Sequence, residues 1–173
     1  MKKYNVTEIR QIMGADWVKA AHPTPILRPT DIMLGDWVLA AHPRAFNEIH
    51  GCPVRVYRLH DDTTEPIGVE THKDAIIRHQ ILASFIIPLP LITEILERNA
   101  TEVVTDGTKT YYLFGEHYAV RVIGESMCFC FICRNGNQIA DRPVGDIFDV
   151  HTLQHLLRLP FVGLSDVANN LII

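Results

Sequence analysis

The chain has 173 residues, 47% of them hydrophobic and 21% charged, and a formal net charge of −4. That balance is globular rather than disordered, is long enough to bury a core without staples, and carries no global basic field for nucleic acid. Charge is uneven, however: residues 1–60 hold 8 Lys/Arg against 5 Asp/Glu, and residues 61–173 hold 8 against 15, so the N-terminal part alone offers a weak surface to a polyanion.

MKKYNVTEIRQ lacks the apolar run of a signal peptide. The longest uncharged apolar run, Ile81 to Ile92, contains two prolines and falls short of a membrane span. Cys52 stands alone and Cys128, Cys130 and Cys133 crowd together, which is not a secreted disulfide framework. The expectation is a cytoplasmic protein with reduced thiols and no membrane association.

Residues 15–23, ADWVKAAHP, and 35–43, GDWVLAAHP, match at seven of nine positions. The first copy follows Val6, Ile9 and Met13, which with Trp17 and Ala20 recur at helical spacing. The second is entered through Gly35 and reads as a strand from Asp36 to Ala41. A pair of cross-strand Trp-Val segments is the alternative. Core packing is the plain role for Trp17 and Trp37. Residues 51–60, GCPVRVYRLH, alternate as a half-buried strand, IGVETH is a short strand, and residues 72–84 fit either strand or helix. Short strands with Gly and Pro punctuation suggest a small barrel, SH3-like, or a curled sheet.

Residues 86–99, IIPLPLITEILERN, divide the chain. Pro88 and Pro90 impose an extended entry, Thr93 reads as a helix N-cap, and Asn99 as a left-handed helix end. Beyond them, Asp106-Gly107 and Asn135-Gly136 mark hairpin turns in an antiparallel meander of four or five strands. DVHTLQHLLRL is then a helix capped by Asp149, with Val150, Leu153, Leu156 and Leu157 as its apolar stripe. Pro160 ends it, and Ser165 caps a last short turn. The expected fold is α+β: a β-rich unit over residues 1–85, then a meander flanked by two helices over residues 86–173.

Three motifs in this order resemble a group of uncharacterised proteins from gut Bacteroidetes genomes, their phages and their mobile elements. Met33-Leu34-Gly35-Asp36-Trp37-Val38 is similar to that group's "LRIGN-V" start. Ile87-Pro88-Leu89 with Thr93 to Asn99 is similar to "PIPLTEEWLLKNGF", and Val150-His151-Thr152-Leu153-Gln154-His155-Leu156 to "VHQLQNLYFALTG". The similarity spans roughly residues 30–160; residues 1–25, the cysteine cluster and the end beyond Pro160 depart from it. The resemblance implies a setting, virion-associated if phage-encoded, and no activity.

The sharpest constellation is Cys128, Cys130 and Cys133 with His151 and His155. Strand alternation puts Cys128 and Cys130 on one face, and the two histidines lie four apart on one helix face. Three thiolates and one imidazole would close a tetrahedral zinc site. The plainer reading is a strand rich in small buried cysteines packed on a helix, with no cofactor. His22 and His42 of the repeated AAHP offer a symmetric pair or merely end two segments, and His60, Asp61 and Asp62 share one polar loop. No Ser-His-Asp spacing, phosphate loop or glycine fingerprint is present.

Three function classes follow. The first is a non-enzymatic accessory or structural protein of a phage or mobile element, acting through a protein partner or a second copy of itself. Its interface would use Trp17 and Trp37, whose identical segments can pair between chains, and the apolar tail Leu171, Ile172 and Ile173. That tail is expected to dock, on its own unit or on a neighbour, since burying each large side chain is worth about 1.5–3 kcal/mol. The second class is nucleic-acid binding through Lys19, Arg28, Arg44, Arg55 and Arg58. The third is a zinc protein or hydrolase.

Overall fold

The computed structural model describes residues 31–40, 52–59, 66–72, 76–135 and 138–173. Among them the fold is α+β, with two five-stranded antiparallel sheets and three short helices. The chain forms two compact units, Met1–Pro90 and Leu91–Ile173. The division falls after Pro90 rather than after residue 85, because Ile86–Pro88 is a strand of the first sheet. No helix among the described residues is long and apolar enough to cross a membrane.

The first unit contains β1 (Trp37–Ala40), β2 (Pro53–Arg58), β3 (Ile67–His72), β4 (Ile76–Ile81) and β5 (Ile86–Pro88), in the order β4-β3-β2-β1-β5. Asp36 builds the entry to β1. Its carboxylate accepts the Met33 N–H at 2.7 Å while Gly35, at φ 83°, turns the chain. Alternation in β2 then sends Val54 and Val56 into a core with Val38, Ala40, Ile67, Val69, Ile81 and Ile86. Pro88 is tolerated because β5 is an edge strand, where a missing N–H costs no ladder bond. The register of β2 on β3 slips between Val56 and Arg58. Gly68 sits opposite that bulge, and a Cβ there would lie 2.7 Å from the Arg58 Cβ. The undecided stretch 72–84 resolves into β4 and a 3₁₀ turn, Ala83–Phe85. β4 and β5 are the two edges in this order, and closure into an SH3-like barrel is not shown among the described residues. The first repeat copy lies outside the described residues; the second supplies β1, whose four residues are all buried.

The second unit contains α1 (Thr93–Asn99), the strands β6 (Glu102–Asp106), β7 (Lys109–Phe114), β8 (Tyr118–Ile123), β9 (Ser126–Asn135) and β10 (Gln138–Asp146), then α2 (Val150–Arg158) and α3 (Ser165–Asn169). The five strands pair strictly in sequence order. Asp106 pairs with Lys109, so the first turn is Gly107-Thr108, one residue later than the Asp-Gly reading, with Gly107 at φ 61°. Gly124, at φ 57°, serves the β8–β9 turn in the same way. Positive φ at the first central residue alone is the type II′ arrangement that suits twisted hairpins. Asn135 pairs with Gln138, and the two residues between them lie outside the described ones.

Three helix-end readings change. Thr93 is the first helical residue rather than the N-cap, which is Ile92. Ser165 likewise follows its N-cap, Leu164. Asn99 does not adopt the left-handed conformation, which among the described residues is confined to glycines. Asp149 caps α2 as expected, accepting the Thr152 N–H at 2.6 Å. Val150, Leu153 and Leu157 are buried, Leu156 is half-buried, and Gln154 joins the inner face. Gln154 donates its amide to the Ala168 carbonyl at 2.9 Å and so ties α2 to α3.

Candidate functional site

Register decides which side chains meet in the second sheet. Tyr111 stands opposite Arg121, Arg121 opposite Cys128, and Ala119 opposite Cys130, so β7, β8 and β9 present these residues to one face. β10 adds Asp141 and Ile139 to it. Tyr111, Leu113, Ala119, Cys128, Cys130, Ile132 and Ile139 form its apolar core.

Asp141 is the polar centre of that core. It accepts from the Tyr111 hydroxyl at 3.0 Å, from Lys109 Nζ at 3.4 Å and from the Cys130 thiol at 3.8 Å, and it is ion-paired to Arg121. Its side chain is 7% exposed. β7 and β10 are separated by β8 and β9, about 14 Å in a flat sheet. Contact between their side chains therefore requires the sheet to curl with this face inward. Arg134 of β9 grips Glu102 of β6 through two bonds, at 2.6 and 2.9 Å, across the same curl.

The electrostatics follow from burial and from these partners. Burial raises the Asp141 carboxyl, but the Tyr111 hydrogen bond and the Arg121 and Lys109 charges outweigh it and hold the group below its ordinary range. Tyr111 is pushed up to about 12 by burial first and by the Asp141 carboxylate second. Cys130 is pushed up to about 12, by burial and then by its neighbour Cys128. Arg121 remains charged, its pKa raised above the ordinary value although burial opposes this. An activated nucleophile needs the opposite tuning, a lowered thiol in an electropositive, accessible setting.

The zinc candidates do not assemble. Cys128 and Cys130 are in the inner core, whereas Cys133 falls on the opposite alternation and is exposed. His151 and His155 lie side by side on α2, with ring centroids 4.1 Å apart and the rings tilted by 50°. Among the described residues of this unit, no three cysteine or histidine ligand atoms lie within 4.8 Å of one another. Cysteine reactivity should report this arrangement. Of the four thiols, Cys133 alone is exposed, so native protein should show one fast-reacting thiol per chain with a disulfide reagent. That phase should vanish in Cys133→Ser; two or more fast thiols would contradict the burial.

Of the basic residues expected to meet nucleic acid, Arg55 is half-buried on β2 and Arg58 is exposed at its end, while Lys19, Arg28 and Arg44 lie outside the described residues. Trp37 is buried in β1 and Trp17 is outside the described residues. Leu171 is buried within the second unit, and Ile172 and Ile173 follow it along the same tail.

The opposite face of the second sheet carries a feature that sequence reasoning missed. Tyr118 packs its ring parallel to buried Phe129 at 5.6 Å and edge-on to Phe131 at 5.7 Å, and His117 stacks on Phe131 at 5.8 Å. The Tyr118 hydroxyl donates to the Phe161 carbonyl at 3.0 Å, which brings exposed Phe161 to the same surface. Phe131 is 38% and Phe161 69% exposed, and exposed Arg142 is Phe131's partner across the ladder. The alternation Met127-Phe129-Phe131 was a usable signal; the contribution of Phe161, from beyond α2, was not. Comparison with protein-family models, curated proteins and solved structures gave no match.

Proposed function

We propose that the protein is a non-enzymatic accessory or structural component of a phage or mobile element and works through contacts with a protein partner or a second copy. The observation that carries this reading is the division of labour in the second sheet. Its reactive residue types, Tyr111, Cys130 and Asp141, are committed to one another inside the curl. Large unreactive side chains are exposed instead: Phe131, opposite Arg142 in the ladder, and Phe161, beyond α2. Aromatic residues with arginine are the composition enriched at protein interfaces. The motif resemblance supplies the phage or mobile-element setting.

The test compares the wild-type chain with the double variant Phe131→Ser/Phe161→Ser, by light scattering after gel filtration and by retention of partners from the native host. The expected result is an assembly larger than the 19.6 kDa monomer, or a retained partner, that is lost in a double variant of unchanged melting temperature. A wild-type chain that stays monomeric and retains nothing, or a variant that behaves identically, overturns the reading.

A further inference from the structure

The end of α1 holds the C-terminal tail by contacts that do not depend on covalent attachment. Leu171 is 4% exposed, whereas the Ile172 side chain is 58% exposed. Ile172 is held by its backbone instead. Its N–H donates to Asn99 Oδ1 at 2.8 Å, and its carbonyl accepts from Asn99 Nδ2 at 2.8 Å. Asn99 also donates to the Ile95 carbonyl at 2.7 Å, which orients the amide. A side-chain amide that offers a donor and an acceptor side by side pairs with an extended backbone much as a neighbouring strand does. Recognition here reads one buried leucine and one backbone unit, and leaves the following side chain in solvent.

We infer that the end of α1 is a receptor for an extended peptide, with Leu171–Ile173 as its resident occupant, and that the occupant it takes in trans is the same tail of a second copy. The inference rests on the tail contact and is independent of the aromatic face. Exchange of an identical segment between copies adds no new chemistry to the site. The intramolecular tail competes at a high effective concentration, so exchange is concentration-dependent.

The test uses the synthetic peptide NNLII, residues 169–173, titrated into a chain truncated after Asn170 and followed by the backbone amide resonances of α1. Saturable binding at least tenfold tighter to the truncated chain than to the full-length one is expected. It should be lost in truncated Asn99→Asp, where a carboxylate would face the Ile95 and Ile172 carbonyls. In the full-length protein, excess peptide should accelerate hydrogen exchange of the Ile172 amide. A truncated chain that fails to bind, equal binding with Asn99→Asp, or Ile172 exchange unmoved by peptide would overturn the inference. If truncation abolishes the circular-dichroism signal, the full-length exchange experiment decides alone.

Discussion

Replacing Asp141 with alanine should cost about 3–5 kcal/mol of stability, the usual loss when one member of a buried ion pair is removed. The change leaves Arg121 charged beside an apolar interior and deprives the buried Tyr111 hydroxyl of its acceptor. For a unit of this size, each kcal/mol moves the melting temperature by roughly 4–8 °C, so a fall of more than about 10 °C is expected by calorimetry. Asp141→Asn, which keeps an acceptor but no charge, should fall between. A change within about 1 °C would show that the cluster contributes nothing net.

The same carboxylate sets a pH dependence of known sign. Its folded pKa is depressed, so its contribution is present above the unfolded value, about 3.9, and is lost as pH falls through the folded value. Acid denaturation below about pH 4 should therefore be shallower in Asp141→Asn than in wild type. Tyr111 has the opposite sense. With its folded pKa at about 12, its contribution is complete below the unfolded value of about 10 and disappears as pH rises to the folded one. An ultraviolet titration should show Tyr111, and with it Tyr112, whose hydroxyl burial also pushes up, ionising later than an exposed phenol.

The second large effect is Phe129→Ala. Phe129 is fully buried and stacked on Tyr118 with an interplanar angle of 6°. Truncating such a ring costs about 3–5 kcal/mol through lost transfer energy and the cavity left behind. Phe161→Ser, two-thirds exposed, should change stability by less than about 0.5 kcal/mol, and chemical denaturation separates the two. Comparable losses at both positions would mean that Phe161 is a core residue and would remove it from the proposed contact surface.

Local chemistry made much of the second unit legible. The Asp106-Gly107 and Asn135-Gly136 signals placed the antiparallel meander, and Asp149 followed by a periodic apolar stripe defined α2. The helix starts at Thr93 and Ser165 read one residue off, because either residue is as compatible with the first helical position as with the cap. The role of Asn99 is not legible locally, because its partner lies 73 residues away, beyond any local pattern. The Asp141 cluster was invisible for the same reason. Asp141 sits in DRP, an ordinary polar triplet, and becomes a core residue only when the sheet curls Tyr111 and Arg121 toward it. The cysteines suggested metal through residue type and spacing, but strand alternation sends Cys133 to the face opposite Cys128 and Cys130. In the first unit, residues 72–84 stayed ambiguous because short apolar runs suit an edge strand and a helix equally.

The strictly sequential ladder of the second sheet has a kinetic consequence. Each strand pairs with its predecessor across a short turn, so each hairpin closes with little loop entropy and can add to the one before it. The meander can thus nucleate at the Gly107 or Gly124 turn and zip outward within the fast range of hairpin formation, about microseconds per hairpin. The clasp between Asn99 and Ile172 spans the whole meander and gains nothing until both ends are in place. It should be absent from the transition state. Weakening it should speed unfolding while leaving refolding nearly unchanged, so Asn99 governs how long the folded unit lasts rather than how quickly it forms.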